Sequence, residues 1–331
     1  MSGLGRVAIL GPTTLLGQEL RDLLGRRKEL RGRITLLAAS EEEVGAVAEA
    51  AGAAALVSPA ESDALQGVDV VFSCGPAAHD LPVLRARPEG ATAILLSPDA
   101  TAEDGVPVVA GVNPEAARRG EVIVSPHPAA IALAHLLAPL AALGLESAAA
   151  TTVQPVSMLG SRGLDDLLSQ TRDLLTMTGD GRESVFDRQL AFNLYPAPEG
   201  SAALAALVRR ASGLDLPLAV HALQGSVFHG LSVSLFVRFG GDPGEGAVRK
   251  ALAARKHLRL SRADAAPADV PGPIDAAAEG DLLVGSVRPD PGYPGGYWVW
   301  AVLDNLTRGG ATNAVEIAEV AVKSSLNDVP A

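Results

Sequence analysis

Short apolar runs alternate with longer segments of helical spacing through the first 125 residues of the chain. The runs lie at 7–10, 34–38, 68–73, 93–96 and 122–125. Each ends in small or turn-forming residues, which is typical of parallel strands joined by crossover helices. This pattern predicts an α/β domain with a doubly wound parallel sheet of the dinucleotide-binding, Rossmann type.

The second half of the chain has a different periodicity. Within 226–239, apolar residues alternate with polar ones, which predicts a strand with one buried face. These apolar residues are Leu231, Val233, Leu235, Val237 and Phe239. Further strands near 149–158, 282–287 and 297–303 and a helix near 164–175 predict a second α/β domain with a mixed sheet. The Leu/Ala-rich stretch 128–145 is interpreted as a buried helix rather than a membrane span.

The last part of the chain carries a helical pattern. We expect Asn305 to cap a final helix whose apolar stripe includes Ala311, Val315 and Val322. With 331 residues, the chain is longer than a single core usually supports. We therefore predict one domain over 1–127 and 305–331, and an inserted domain over 128–304.

Composition narrows the class of protein. The chain is 48% apolar and 20% charged, with a net charge of -11, which argues for a globular protein and against a nucleic-acid surface. A signal-peptide pattern and a membrane span are not recognised in the sequence, and a single cysteine excludes an intrachain disulfide framework. We expect a cytoplasmic protein. His, Cys and carboxylate spacing suited to a metal site is also missing.

Four segments together resemble the aspartate-semialdehyde dehydrogenase family. They are Gly-Pro-Thr-Thr-Leu-Leu-Gly at 11–17, Gln-Pro-Val-Ser at 154–157 with Gln-Thr-Arg at 170–172, Ala-Phe-Asn-Leu-Tyr-Pro at 191–196, and the segment 304–319. The resemblance implies the semialdehyde dehydrogenase fold, in which a Rossmann-type domain carries an inserted α/β domain. It also implies a homodimer built on the mixed sheet that carries Leu231 and Phe239.

The resemblance places a dinucleotide at the glycine-rich loop after the first strand. The expected cofactor-binding residues are Gly11, Thr13, Thr14, Leu16, Gly17, Ser40, Cys74, Gly75 and Asn305. Thr14 replaces the middle glycine of the family loop, and we expect its side chain to intrude on the pyrophosphate.

The residues after Ser40 bear on which dinucleotide is accepted. Some family members hold the 2′-phosphate of NADP at this place with basic residues, whereas Glu41–Glu43 would repel it. An acid there bonds a ribose hydroxyl in NAD-binding folds, and a solvated turn is the other interpretation. The cofactor is left open between NAD, NADP and none.

The resemblance also implies a catalytic thiolate, an Arg and a His, and all three are replaced. When 125–128 is matched to the family's Asn-Pro-Asn-Cys motif, Pro128 occupies the nucleophile position. Gln224 stands in place of the substrate-binding Arg and Leu231 in place of the acid–base His. Gln154 matches the family glutamine that orients the substrate.

Other residues offer replacement chemistry. Cys74 with His79 is one candidate pair, although a buried thiol at a strand end is the alternative. His229, two residues before Leu231, is interpreted as a structural or interface histidine on the same side of the strand. Ser125 and His127 are interpreted as capping the following helix.

These residues favour a diverged, catalytically inactive homologue, similar to the usg-type paralogues, that acts as a binding or scaffold protein. Two alternatives remain. One is an NAD(P)-dependent oxidoreductase acting on a semialdehyde or an acyl-phosphate-type substrate, and the other is a dinucleotide-binding sensor.

Overall fold

The computed structural model describes residues 3–178, 184–197 and 201–327. In chain order, the strands are β1 (Val7–Leu10), β2 (Ile34–Leu37), β3 (Val47–Ala50), β4 (Ala53–Leu56), β5 (Val70–Ser73), β6 (Thr92–Leu95), β7 (Val106–Pro107), β8 (Val122–Val124), β9 (Leu145–Gln154), β10 (Leu194–Pro196), β11 (Leu218–Gly225), β12 (Leu231–Phe239), β13 (Leu258–Leu260), β14 (Leu282–Pro289) and β15 (Gly296–Leu303). The helices are α1 (Leu15–Gly25), α2 (Ala77–Arg85), α3 (Pro128–Leu137), α4 (Gly160–Thr176), α5 (Ser201–Ser212), α6 (Glu245–Ala253) and α7 (Thr312–Asn327).

The chain divides into two compact units. The parallel-sheet unit comprises Met1–Ala134, Ala206–Gly213 and Leu306–Ala331, and the mixed-sheet unit comprises His135–Ala205 and Leu214–Asn305. The domain boundaries given above stay predictions. In this division Pro128 belongs to the parallel-sheet unit and Asn305 to the mixed-sheet unit.

The parallel-sheet unit has a doubly wound sheet. In the described part of the chain it has six strands in the order β2-β1-β5-β6-β8-β7, all parallel. One face packs against α1 and α7 through Leu20, Leu24 and Val315, and the other against α2 through Leu81 and Leu84. Both faces are covered, as a parallel sheet requires. The predicted fold class is confirmed.

The Ala-rich stretch near 46–56 forms a hairpin that the sequence did not predict. Strands β3 and β4 pair antiparallel, with Val47 opposite Leu56. Ala and Gly give the stretch no clear alternation of apolar and polar residues, so periodicity could not distinguish it from a loop. The hairpin follows directly on the Glu41–Glu43 turn.

The mixed-sheet unit contains seven strands within the described ranges, in the order β10-β11-β9-β12-β15-β14-β13. The period-two prediction for β12 is correct, since Leu231, Val233, Leu235, Val237 and Phe239 are all buried. These side chains are buried within a single chain, so they do not face a partner. On the other face of β12, Phe236 is half-buried and Arg238 is exposed.

One strand prediction for this part of the chain is wrong in its start, and one strand was missed. The strand predicted over 226–239 begins only at Leu231, because Gly230 turns the chain with a φ of 88° and passes close to Pro273. Residues 226–230 form bends, and Leu218–Gly225 is a separate strand that was not predicted.

Asn305 does not cap the last helix. A π-helical turn at Thr307–Ala311 precedes α7, which begins at Thr312. The Asn305 side chain instead accepts a hydrogen bond from the Gly230 N–H at 3.1 Å. The stripe itself is correct, since Ala311 and Val315 are buried.

The stretch predicted as one long helix over 128–145 is α3 followed by a 3-10 helix over Ala138–Leu143. Pro139 lies at the start of that second segment and cannot continue the α-helical hydrogen bonding. Among the helices of the described ranges, none is long and apolar enough to span a membrane.

Candidate functional site

The glycine-rich loop lies between β1 and α1 at the carboxyl edge of the parallel sheet. Gly11 has a φ of 76°, and a Cβ there would lie 3.1 Å from the Gly75 nitrogen. A Cβ at Gly17 would lie 2.1 Å from the Gly11 carbonyl oxygen. Both positions therefore require glycine, and α1 packs directly against the loop. Leu16 packs its side chain against the core.

The Thr14 side chain is hydrogen-bonded within the loop, and its intrusion on a pyrophosphate stays a prediction. Its hydroxyl accepts a hydrogen bond from the Gly17 N–H at 3.0 Å and donates to the Gly11 carbonyl at 2.9 Å. Thr14 therefore turns its side chain back and caps α1, which is the usual role of Thr at that position. At the position of the middle family glycine, Thr14 thus completes the turn.

Glu43 reaches from the turn after β2 to the glycine-rich loop. Its carboxylate accepts hydrogen bonds from the Thr13 N–H at 3.1 Å and the Ala39 N–H at 2.6 Å, and from the Thr13 hydroxyl. The side chain is buried, whereas Ser40, Glu41 and Glu42 are exposed. The solvated-turn interpretation is thus correct for two of the three glutamates and wrong for Glu43.

Cys74 follows β5 and is buried. Burial raises the pKa of its thiol far above the ordinary value, and the nearby Asp80 and Glu43 carboxylates raise it further. Such a thiol is protonated at neutral pH and is a poor nucleophile. The interpretation of Cys74 as a small buried residue is confirmed.

Asp80 is a buried acid that accepts several hydrogen bonds at the carboxyl edge of the parallel sheet. Its fully buried carboxylate accepts hydrogen bonds from the Ser73 hydroxyl at 2.5 Å and the Gly75 N–H at 3.0 Å. His79 lies on the same carboxylate, with its Nδ1 2.9 Å from Asp80 Oδ1. Burial raises the pKa of Asp80, although these hydrogen bonds oppose the effect. His79 therefore pairs with Asp80.

The start of α3 places Pro128 at its first helical residue. His127 accepts the Ala129 N–H at 3.1 Å through Nδ1, which confirms its capping role. Burial lowers the pKa of His127 to about 4, so the ring is neutral at pH 7. Ser125 is buried and bonds elsewhere, accepting from the Asn313 side chain at 2.9 Å. The capping interpretation is therefore correct for His127 and wrong for Ser125.

Gln154, Gln224 and Leu231 come together at one end of the mixed sheet. They lie on the adjacent strands β9, β11 and β12, and Gln224 is opposite Gln154 in the β11–β9 register. The buried Gln224 amide donates to the Gln154 carbonyl at 3.1 Å and to the Gly225 carbonyl at 3.2 Å. Leu231 is completely buried. These side chains support the sheet.

Asn305 and Ser157 join the same region of the mixed-sheet unit. The Asn305 amide donates to the Ser157 hydroxyl at 3.0 Å, and both side chains are buried. His229 is exposed in the bend before β12, so it does not share a strand face with Leu231 as predicted. Across the described residues, no group of three or more His, Cys, Asp or Glu side chains is placed to hold a metal ion.

Two family models match the chain. Residues 6–119 match the description "Semialdehyde dehydrogenase, NAD binding domain", and residues 137–308 match "Semialdehyde dehydrogenase, dimerisation domain". The chain belongs to the semialdehyde dehydrogenase family. The resemblance stated from the four sequence segments is confirmed.

Relatives match this family member over nearly its whole length. The USG-1 protein homolog of Azotobacter vinelandii is 32% identical, with 96% of this chain and 97% of that protein covered. The aspartate-semialdehyde dehydrogenase of a Synechocystis species is 28% identical, with 96% and 97% covered. The crystal structure of aspartate semialdehyde dehydrogenase II from Vibrio cholerae has a TM-score of 0.86 at 26% identity, covering 96% of this chain and 98% of that one.

Glu43 and Asp80 are the two acids whose individual roles the sequence did not reveal. Asp80 carried a signal, because it is a charged residue in the first turn of a helix that follows Gly75. Glu43 carried none that separates it from Glu41 and Glu42. Only the turn of the chain after β2 selects one glutamate of the three.

Proposed function

We propose that this chain is a catalytically inactive homologue of aspartate-semialdehyde dehydrogenase that acts as a homodimeric binding or scaffold protein. One observation carries the proposal. The positions matched to the family's thiolate, Arg and His hold Pro128, Gln224 and Leu231. The last two are buried, and they contribute a backbone-bonded amide and an apolar side chain. Thioester chemistry needs a thiolate and a proton-transfer group, and these side chains provide neither.

The other reactive side chain types considered as replacements support the same proposal. Cys74 has a raised pKa and is buried, and His127 has a lowered pKa and uses Nδ1 to cap α3. His229 is exposed in a bend. Gln154 is retained, but an amide that orients a substrate does not supply the nucleophile that the reaction needs.

The test is an enzyme assay with aspartate semialdehyde, phosphate and either NAD or NADP. We expect turnover at least about 10,000-fold below the median enzyme rate of roughly 10 per second. A Pro128→Cys variant should remain inactive, because Gln224 and Leu231 are unchanged. Turnover within about tenfold of the median would contradict the proposal and favour the NAD(P)-dependent oxidoreductase instead.

We place the homodimer contact on the open face of the mixed sheet. Phe236, Tyr293 and Trp298 form an aromatic patch there, with ring centroids 5.5 Å apart for Phe236–Tyr293 and 5.1 Å for Phe236–Trp298. Trp298 is 46% exposed and Tyr293 44% exposed, and Arg238 lies over the Tyr293 ring. Exposed aromatic residues with Arg are typical of interface centres.

Light scattering at micromolar concentration tests this contact. We expect a mass near twice the 33.7 kDa of one chain, and a Trp298→Arg variant that shifts toward the monomer. Ile274→Arg is the matched control, because Ile274 is 89% exposed in the same unit and lies outside the aromatic patch. A monomeric wild-type protein would contradict the homodimer. A dimer that Trp298→Arg leaves intact would show that the contact lies outside the aromatic patch.

A dinucleotide-binding sensor is the second candidate function, and the glycine-rich loop favours it. Gly11 and Gly17 keep the close backbone packing that such loops need, and the Thr14 hydroxyl is hydrogen-bonded within the loop. Calorimetric titration with NAD tests this candidate directly. Heat of binding without turnover would favour the sensor over the scaffold.

A further inference from the structure

The Glu43 carboxylate joins two loops at the carboxyl edge of the parallel sheet. Thr13 belongs to the glycine-rich loop after β1, and Ala39 belongs to the segment after β2. Both backbone N–H groups and the Thr13 hydroxyl donate to this one carboxylate. Glu43 therefore occupies three hydrogen-bond donors that converge from adjacent strands.

Converging N–H and hydroxyl donors at a strand end are the groups that hold a phosphate in nucleotide-binding folds. A carboxylate is an anion with the same preference for these donors. A phosphate and the Glu43 carboxylate cannot share the donors, because the atoms would overlap and like charges at such range repel. A ribose hydroxyl, by contrast, can donate to the carboxylate and leave its other bonds in place.

We propose that Glu43 is the residue that excludes an adenosine 2′-phosphate from the parallel-sheet unit, by filling the donors that would hold it. The exclusion is specific to Glu43. Glu41 and Glu42 belong to the same turn, but they are exposed and make only the general contribution of surface charge. At ordinary ionic strength that contribution is screened.

The chain holds Glu43 in place from the side of the hairpin. The Ala46 N–H donates to the Glu43 carbonyl at 3.1 Å, and the Gly45 N–H donates to the Val57 carbonyl at 3.0 Å. The turn that carries Glu43 is thus bonded to the start of the β3–β4 hairpin. The carboxylate is presented by a fixed backbone, so the donors are filled without any ligand.

Calorimetric titration with 2′,5′-ADP and with 5′-AMP tests the inference, since the two probes differ in the 2′-phosphate. We expect Glu43→Gln and Glu43→Ala to bind 2′,5′-ADP at least about tenfold more tightly than the wild type does. The gain for 5′-AMP should be under about threefold. Glu41→Gln and Glu42→Gln are the matched controls, and both should behave as the wild type.

Three results would overturn the inference. They are no gain in either Glu43 variant with circular dichroism unchanged, an equal gain in the two control variants, and an equal gain for 5′-AMP. Glu43→Gln guards against misfolding, because its amide oxygen still accepts one of the hydrogen bonds. The exclusion of the 2′-phosphate by Glu43 does not depend on the proposed sensor role. Only the binding of NAD by the wild type depends on that role. If the wild type binds no NAD but Glu43→Ala gains 2′,5′-ADP, the sensor fails and the exclusion by Glu43 stands.

Discussion

The carboxyl edge of the parallel sheet and the Gln154 end of the mixed sheet use their polar groups in different ways. At the first, buried carboxylates satisfy the backbone donors, with Glu43 on Thr13 and Asp80 on Gly75. At the second, Gln224 donates to backbone carbonyls and Leu231 packs in the core. In the first region, the backbone N–H donors are retained, and substitution of one acid would leave them without that acceptor. In the second region, the side chains stabilise the sheet.

The difference follows from whether the polar groups belong to the backbone or to side chains. Backbone donors at strand ends remain whatever the side chains are, and a buried donor must be satisfied. Acids therefore occupy them when no ligand does. Side chains that project from a strand carry no such requirement, so apolar packing can replace them, and the backbone of the sheet is unchanged.

The largest expected effect is the difference in the labelling rate of Cys74 between the native and the unfolded protein. The chain has one cysteine, so a thiol reagent reports on it alone. Because burial raises the pKa of Cys74, we expect labelling of the native protein at about pH 8 to be at least about a thousandfold slower than in urea. Absorbance after adding an aromatic disulfide measures both rates. Fast labelling of the native protein would show that this edge still offers a nucleophile.

Gly17→Ala should have the largest effect on stability. The new Cβ would lie 2.1 Å from the Gly11 carbonyl and 2.9 Å from the Pro12 Cα, and neither backbone atom can move alone. We expect a loss of about 3 kcal/mol in the unfolding free energy of the parallel-sheet unit. Urea denaturation followed by circular dichroism measures it. Gly25→Ala on the same helix is the control, since its nearest contact is 3.7 Å, and it should be neutral or slightly stabilising.

Leu231→His restores the residue type of the family at the mixed sheet and should cost roughly 2–3 kcal/mol of unfolding free energy. Leu231 is completely buried, so an imidazole at this position would lose its hydration on folding. The control Leu231→Met should cost less than about 1.5 kcal/mol, because it keeps the volume apolar. If the two variants unfold at the same urea concentration, the region still tolerates a polar group, and the contrast between the two regions weakens.

The smallest expected effect is the pH dependence of the unfolding free energy. The pKa of His127 falls from 6.5 to about 4 on folding, so below pH 6.5 the unfolded chain takes up a proton first. Stability is therefore lost as the pH falls through this window, by roughly 1–2 kcal/mol, since the side chain is only partly buried. Urea titrations between about pH 7.5 and pH 4.5 measure the slope.

His127→Gln should flatten that slope, because glutamine can still accept the Ala129 N–H but does not titrate. His221→Gln serves as the control, since His221 is exposed on β11. An unchanged slope in His127→Gln would mean that His127 is not the group responsible.

The local sequence pattern was sufficient to predict those elements whose structure depends on neighbouring residues. The apolar runs gave the parallel strands, the alternation gave the buried face of β12, and Gly11 with Gly17 gave the loop. The match of Pro128, Gln224 and Leu231 to the family's catalytic positions comes from the sequence alone and stays a prediction. Pattern failed for β3 and β4, which lack alternation, and for the strand start at Leu231, which depends on the close approach of Pro273 to Gly230.

By itself, the sequence determined the fold class, the family and the position of the glycine-rich loop. Only the tertiary structure decided which acid is buried and what it bonds. Glu43 reaches a residue 30 positions away, and Asn305 bonds Ser157 148 positions away. The physical reason is that a polar side chain acquires its role from the donors that folding brings to it. Those donors come from segments that no local pattern connects.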